Sequence, residues 1–210
     1  MTQVPKPSLR RPEIIPALRV RASLLRRGLQ RRRAGNQPLW SRASEFDQAW
    51  KIRIQRMAQF IDRPGGVVDF GCGPMWLEQY VPPANRYVPV DYIRRDERTT
   101  VVDLNRDRLP ALDASVGFLS GVLEYVRDVQ ALVKQLEDQP FTRLIVSYNT
   151  LERVPRRAAR ESVNWVSHLD LEQLLALFCA AFALVHIEAS GTNTILVFDR
   201  KKSPGLRMSG

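Results

Sequence analysis

Val67-Val68-Asp69-Phe70-Gly71-Cys72-Gly73-Pro74 is the stretch on which the fold turns. A short β-branched run that ends in an acid and two glycines reads as a buried strand opening into a sharp turn. The glycines let the backbone approach a ligand where a side chain would stand in the way. In a doubly wound sheet such a turn lies at the carboxyl edge, where the ligand crevice opens. A helix starting near Pro74 would aim its N-terminal donors at an anionic group.

Downstream of this turn the chain alternates between short β-branched runs and helical patterns, the signature of a sheet with crossover helices. Strands are expected at 66–70, 86–90, 99–103, 116–119, 142–147, 184–188 and 194–198, and helices near 75–80, 127–138 and 170–182, the last capped by Ser167. Only Ala189-Ser190-Gly191-Thr192-Asn193 separates the last two strands, which is too short for a helical crossover, so they pair antiparallel. The expected class is α/β: a three-layer sandwich with a seven-stranded, mostly parallel sheet ending in an antiparallel hairpin, plus an N-terminal helical extension. Upstream, Phe46, Trp50, Ile54, Met57 and Phe60/Ile61 recur at spacings of three and four, giving one apolar face to a helix that Ser44 caps.

Acids follow the strands. Val88-Pro89-Val90-Asp91 ends the second one about twenty residues after the glycine loop, the spacing at which a carboxylate accepts both hydroxyls of a ribose. Taken alone, Asp91 is equally a solvated strand-end acid, and Asp103, after Val101-Val102, a helix cap or loop acid.

The loop VVDFGCG resembles motif I of class I methyltransferases that use S-adenosylmethionine (SAM), and the resemblance runs over residues 65–200. It implies that Asp69 helps hold the amino group of SAM while Gly71, Cys72 and Gly73 line its methionine portion. It places Asp91, with Tyr92 beside it, on the ribose, and Asp103 with Leu104 at the adenine. Ser120-Gly121-Val122-Leu123-Glu124-Tyr125-Val126 is similar to a GVLEHV-type segment that faces both cofactor and acceptor in that family, so Ser120 joins the cofactor set. One departure stands out: where the family often has a third glycine, this chain has Met75. A nicotinamide-binding loop would also need a third glycine, and Gly71-Cys72-Gly73-Pro74-Met75-Trp76 lacks it; no Gly-Lys-Ser/Thr ending of a phosphate-binding loop occurs.

Methyl transfer from a sulfonium needs alignment and exclusion of water more than a protein nucleophile. A hydroxyl acceptor gains from a general base, and the candidates for base or orienting group are Glu124, Tyr125, Tyr148 and His168. His168 at a helix start is as readily a packing or capping residue, and His186, inside an apolar strand, reads as structural. Residues 149–164 carry Arg153, Arg156, Arg157 and Arg160, which reads either as a lid pairing with an anionic acceptor or as a solvated charged face. No metal ligand set is present in the pattern: Cys72 and Cys179 are far apart and in apolar surroundings.

The net charge of +10 is local. Residues 1–44 hold eleven Lys and Arg against the single acid Glu13, so the remainder is neutral. We divide the chain into a basic arm (1–43) with a short amphipathic helix, a SAM-binding domain (44–202) and a tail (203–210). Three roles fit the arm: attachment to an anionic membrane surface, contact with nucleic acid, or a solubilising tail. No aromatic residue is interleaved with the arginines from Arg10 to Arg33 to stack on bases, which ranks nucleic acid below a membrane or partner. Arginines interrupt the apolar residues that a secretory signal would need, so the expected location is the cytoplasm, with peripheral contact at the inner membrane as a further option. The expected acceptor is a small or glycan-type molecule, anionic in the preferred version, and the alternatives are a non-catalytic scaffold of the same fold and a nucleic-acid methyltransferase.

Overall fold

The structure, a computed structural model, describes residues 48–202. The basic arm, the Ser44 cap and the tail lie outside the described residues. Strand β1 (Gly65–Phe70) pairs in parallel with β2 (Asn85–Asp91) on one side and β4 (Val116–Ser120) on the other. Beyond β4 lies β5 (Arg143–Tyr148), also parallel. The edge next to β2 is β3 (Thr100–Val101), and the opposite edge is the hairpin of β6 (Phe182–Ser190) and β7 (Asn193–Arg200), with β7 antiparallel to β5. The sheet order among the described residues is β3-β2-β1-β4-β5-β7-β6. Sheet order reverses between β1 and β4, so the crevice at their carboxyl ends is the natural ligand site.

A strand covered on both faces must be apolar on both, which is why these runs do not alternate. On one face Val68, Phe70, Leu119, Val146 and Phe198 pack against Leu132 and Leu136 of α2 (Val129–Glu137) and Phe178 of α4 (Leu171–Phe178). On the other, Val67, Val116, Phe118 and Ile145 pack against Met57 and Ala58 of α1 (Gln48–Ala58). A one-turn helix, α3 (Arg157–Glu161), lies in the segment after β5. Caps are local: Asp128 accepts from Ala131 N–H at the start of α2, and Asp170 forms a capping box with Gln173 at the start of α4.

Four expectations change. The helix at 75–80 is absent; a single 3-10 turn spans Glu78–Tyr80. Met75 has φ 57°, which no right-handed helix contains, and Pro82-Pro83 stop any continuation. No helix therefore follows the ligand turn directly. β3 is two residues long because its pairing with β2 begins only at Val90, after Pro89, which has no N–H for a ladder. Asp103 then ends it by accepting from Asn105 N–H. Ser167 does not cap α4; its hydroxyl is buried and donates to Leu123 O at 2.8 Å. The hairpin turn is tighter than the five residues read from sequence: Ser190 pairs with Asn193, leaving Gly191-Thr192 with Gly191 at φ 61°. His186 lies on β6 with its ring 4.5 Å from that of Phe60.

Candidate active site

The turn after β1 is built by hydrogen bonds to the neighbouring strand. Gly71 and Cys72 N–H both donate to Val90 O, at 2.8 and 3.1 Å. Gly71 and Gly73 take φ 67° and 50°, and a Cβ on Gly71 would stand 2.6 Å from Val122 Cγ2. Both facts require glycine at 71. Met75, where the family's third glycine would stand, takes a left-handed backbone at φ 57°, a conformation that ordinarily favours glycine.

Asp91 fixes this turn. Its Oδ2 accepts Gly73 N–H and Arg95 Nε, each at 3.0 Å, and its Oδ1 accepts Ile93 N–H at 3.2 Å. The carboxylate is 4% exposed and borders a cavity of about 660 Å³ at the carboxyl ends of β1, β2 and β4. Gly71, Cys72, Gly73, Tyr92, Asp103, Leu104 and Ser120 border the same space. Burial pushes the Cys72 thiol well up, and the nearby Asp69 and Asp91 carboxylates add to it, so it is a protonated wall residue rather than a nucleophile.

Asp69 is not among the residues bordering the cavity. On β1 it lies on the same face as Val67, the face packed on α1, and Tyr87 Oη donates to its Oδ2 at 2.8 Å. Burial pushes its carboxyl up to about 7, against the lowering effect of the Tyr87 bond and with a smaller push from Asp91. The structure thus gives Asp69 a place beneath the turn.

A polar chain borders the cavity, of which the sequence reading found Ser120 and Glu124 but not Arg53, Asn149 or Asn193. Arg53 of α1, 8% exposed, donates through Nε to Ser120 Oγ at 3.0 Å and through Nη1 to Asn193 Oδ1 at 3.2 Å. Asn149 Nδ2 donates to the same Asn193 oxygen at 3.0 Å and to Glu124 Oε1 at 2.8 Å. Glu124 sits in a 3-10 turn, Leu123–Tyr125, and is 1% exposed. Gly121 makes room for the guanidinium: a Cβ there would lie 2.6 Å from Arg53 Nη2. All of Arg53, Glu124, Asn149 and Asn193 border the cavity, as does Tyr125.

Tyr148 and His168, the other two candidates for base or orienting group, do not border it. Tyr148 is fully buried, shares a hydrogen bond with Ser167 Oγ at 2.8 Å and accepts from Arg160 Nη2 and Leu169 N–H. His168 Nδ1 accepts from Arg160 Nε at 3.0 Å; burial first, then the Arg160 and Arg157 charges, hold its pKa below the ordinary histidine value. Both are parts of the scaffold around Arg160. That arginine, fully buried, also donates to Asn149 O at 2.6 Å and Ser167 O at 3.0 Å and lies 5.0 Å over the ring of Trp165. Arg157 pairs with Glu161. Arg160 therefore points into the protein, and the arginine-bearing lid read from sequence offers neither residue to an acceptor.

No protein-family model matches the chain, and no curated protein matches it by sequence. Solved structures do match. A candidate O-methyltransferase of Nostoc punctiforme gives a TM-score of 0.61 at 13% identity over 77% of this chain. This chain spans 60% of the length of that protein. A SAM-dependent methyltransferase of Mesorhizobium loti gives 0.53 at 17% identity, covering 72% of this chain and 98% of that one. The N-terminal domain of EvdMO1, determined in the presence of S-adenosylhomocysteine (SAH) and D-fucose, gives 0.50 at 13%, covering 74% and 84%. With these likenesses, a β3-β2-β1-β4-β5-β7-β6 sheet and a glycine turn after β1, the chain has the class I methyltransferase fold.

Proposed function

We propose that this protein is a SAM-dependent methyltransferase acting on a small or glycan-type acceptor. The observation that carries the reading is one cavity bordered by the glycine turn, by Asp91 and Asp103, and by Glu124. Its volume is that of a small-molecule site. The residues fit the cofactor: Gly71 and Gly73 leave the turn bare of side chains, Asp91 is an acceptor-only group for a ribose diol, and Asp103 with Leu104 borders the space beyond it.

Bound SAM supplies a methyl group on an already activated sulfonium. The chain's own residues align and dry the site: the buried Trp165 and Val126, with Tyr125, border it. Glu124 borders the same cavity and takes the place of base or orienting group in this reading. The test is transfer of a labelled methyl group from SAM to nucleotide sugars and glycolipids by the full chain. Labelled product supports the reading. A protein that binds SAM and labels nucleic acid alone, with rates that collapse as salt rises, would move the function to the nucleic-acid class.

A further inference from the structure

Asp91 commits its acceptor capacity inside the protein. A carboxylate has about four lone-pair places, two on each oxygen. Oδ2 accepts Gly73 N–H and Arg95 Nε, both at 3.0 Å, and Oδ1 accepts Ile93 N–H at 3.2 Å and Arg95 Nη2 at 3.4 Å. The Cys72 thiol adds a weak approach to Oδ2 at 4.0 Å. Under this cover the Asp91 side chain is 3% exposed. Two ribose hydroxyls therefore find no place on the carboxylate unless two of its donors leave.

The donors differ in how freely they move. Gly73 N–H belongs to the turn that Gly71 and Cys72 N–H pin to Val90 O. Ile93 N–H returns to Asp91 in a local turn of the kind an aspartate makes with the backbone two residues on. The backbone at 95 and 96 is fixed as well, since both N–H groups donate to Thr99 Oγ1, at 3.1 and 3.0 Å. The Arg95 guanidinium, by contrast, ends a flexible stem, and the side chain is 12% exposed and borders the same cavity as Asp91. Its two nitrogens take one place on each carboxylate oxygen, the pattern that two vicinal hydroxyls of a ribose would make.

We propose, resting on the SAM-binding reading above, that Arg95 is an internal competitor for the ribose. SAM or SAH binds by displacing the Arg95 fork from Asp91, and two ribose hydroxyls take over the places of Nε and Nη2. The donors from Gly73 and Ile93 stay, so the glycine turn keeps its shape through the exchange. While the ribose is away, the fork keeps a buried carboxylate paired, and an unpaired one there would be strongly destabilising. Cofactor affinity is then set by the difference between two sets of donors, and Arg95 tunes it without a part in the transfer itself.

The test titrates the full chain and its Arg95→Met variant with SAH and with 2′,3′-dideoxy-SAH, which lacks both hydroxyls. SAH carries no sulfonium charge, so its affinity reads the contact rather than the loss of a nearby cation. Arg95→Met should bind SAH about threefold to tenfold more tightly, the equivalent of one hydrogen bond that no longer has to be displaced, and should unfold at a lower temperature without cofactor. Its affinity for the dideoxy compound should match that of the wild-type protein within about twofold. A crystal of the wild-type SAH complex should show both ribose oxygens on Asp91 and Arg95 Nε out of hydrogen-bond reach of it, which reads the exchange even if the variant does not fold. Weaker or unchanged SAH binding by a folded Arg95→Met, an equal gain for the dideoxy compound, or a fork still on Asp91 in the complex overturns the inference while leaving the cofactor assignment intact. Wild-type protein that takes up no SAH counts against both.

Discussion

Asp69 and Asp91 end neighbouring strands at the same edge of the sheet, yet they meet opposite surroundings. Asp91 receives three kinds of donor, from a backbone turn, a following loop and Arg95, whereas Asp69 has Tyr87 in an otherwise apolar layer. The sequence reading assigned both to the cofactor because spacing reports the strand end and not the face on which a side chain emerges. The consequence for Asp69 is measurable. Its folded-state value of about 7 lies above the 3.8 of the free group, so the folded protein holds this proton more tightly than the unfolded chain. Stability contributed by Asp69 is complete below about pH 4 and is lost as pH rises through about 7. Asp69→Asn, whose amide still accepts from Tyr87, should flatten that slope and stabilise the protein at pH 8 by on the order of 3 kcal/mol. Urea unfolding at pH 5 and pH 8 reads it, and equal slopes in the two proteins would count against the account. Met75 gives a second residue-scale prediction: its left-handed backbone costs about 1 kcal/mol, so Met75→Gly should raise the free energy of unfolding by up to about that amount, read as a higher urea midpoint at unchanged slope.

Elements were legible where one periodicity dominated. The runs around β1, β4, β5 and β7 are buried on both faces and carry no competing pattern, so the sheet, the parallel crossovers and the closing hairpin follow from them. The segments at 75–80 and 99–103 failed because single residues overrode the pattern: a left-handed Met75 and a Pro89 without a donor. The segment after β5 was misread for a different reason. Its arginines look alike in sequence, but Arg157 is exposed and pairs with Glu161, while Arg160 is fully buried and ties Tyr148, Asn149, Ser167 and His168 together. Arg160→Met would leave the carbonyls of Asn149 and Ser167 without this donor. We expect a loss of about 2 to 4 kcal/mol in chemical denaturation, with SAM affinity retained, since Arg160 does not border the cavity. Stability at the wild-type level would mean that these carbonyls have other donors.

At the scale of the whole molecule, the site joins parts that no local motif connects. The glycine turn and Asp91 lie 18 residues apart and were readable as a pattern. Arg53 meets Ser120 across 67 residues and Asn193 across 140, and Asn149 meets Asn193 across 44. Nothing in the spacing of these residues signals their meeting; packing of α1 on the sheet and the return of β7 beside β5 bring them together. The cavity residues of the glycine turn and the strand ends were therefore largely visible in the sequence, and of the polar chain only Ser120 and Glu124 were. The same division organises the decisive measurement, a calorimetric titration of the full chain with SAM and SAH, repeated on Asp91→Ala. The account predicts saturable one-to-one binding in the micromolar range, about −8 kcal/mol, lost in the variant while its fold persists. A folded wild-type protein that takes up neither compound, or a variant that binds both as well as wild type, would contradict it.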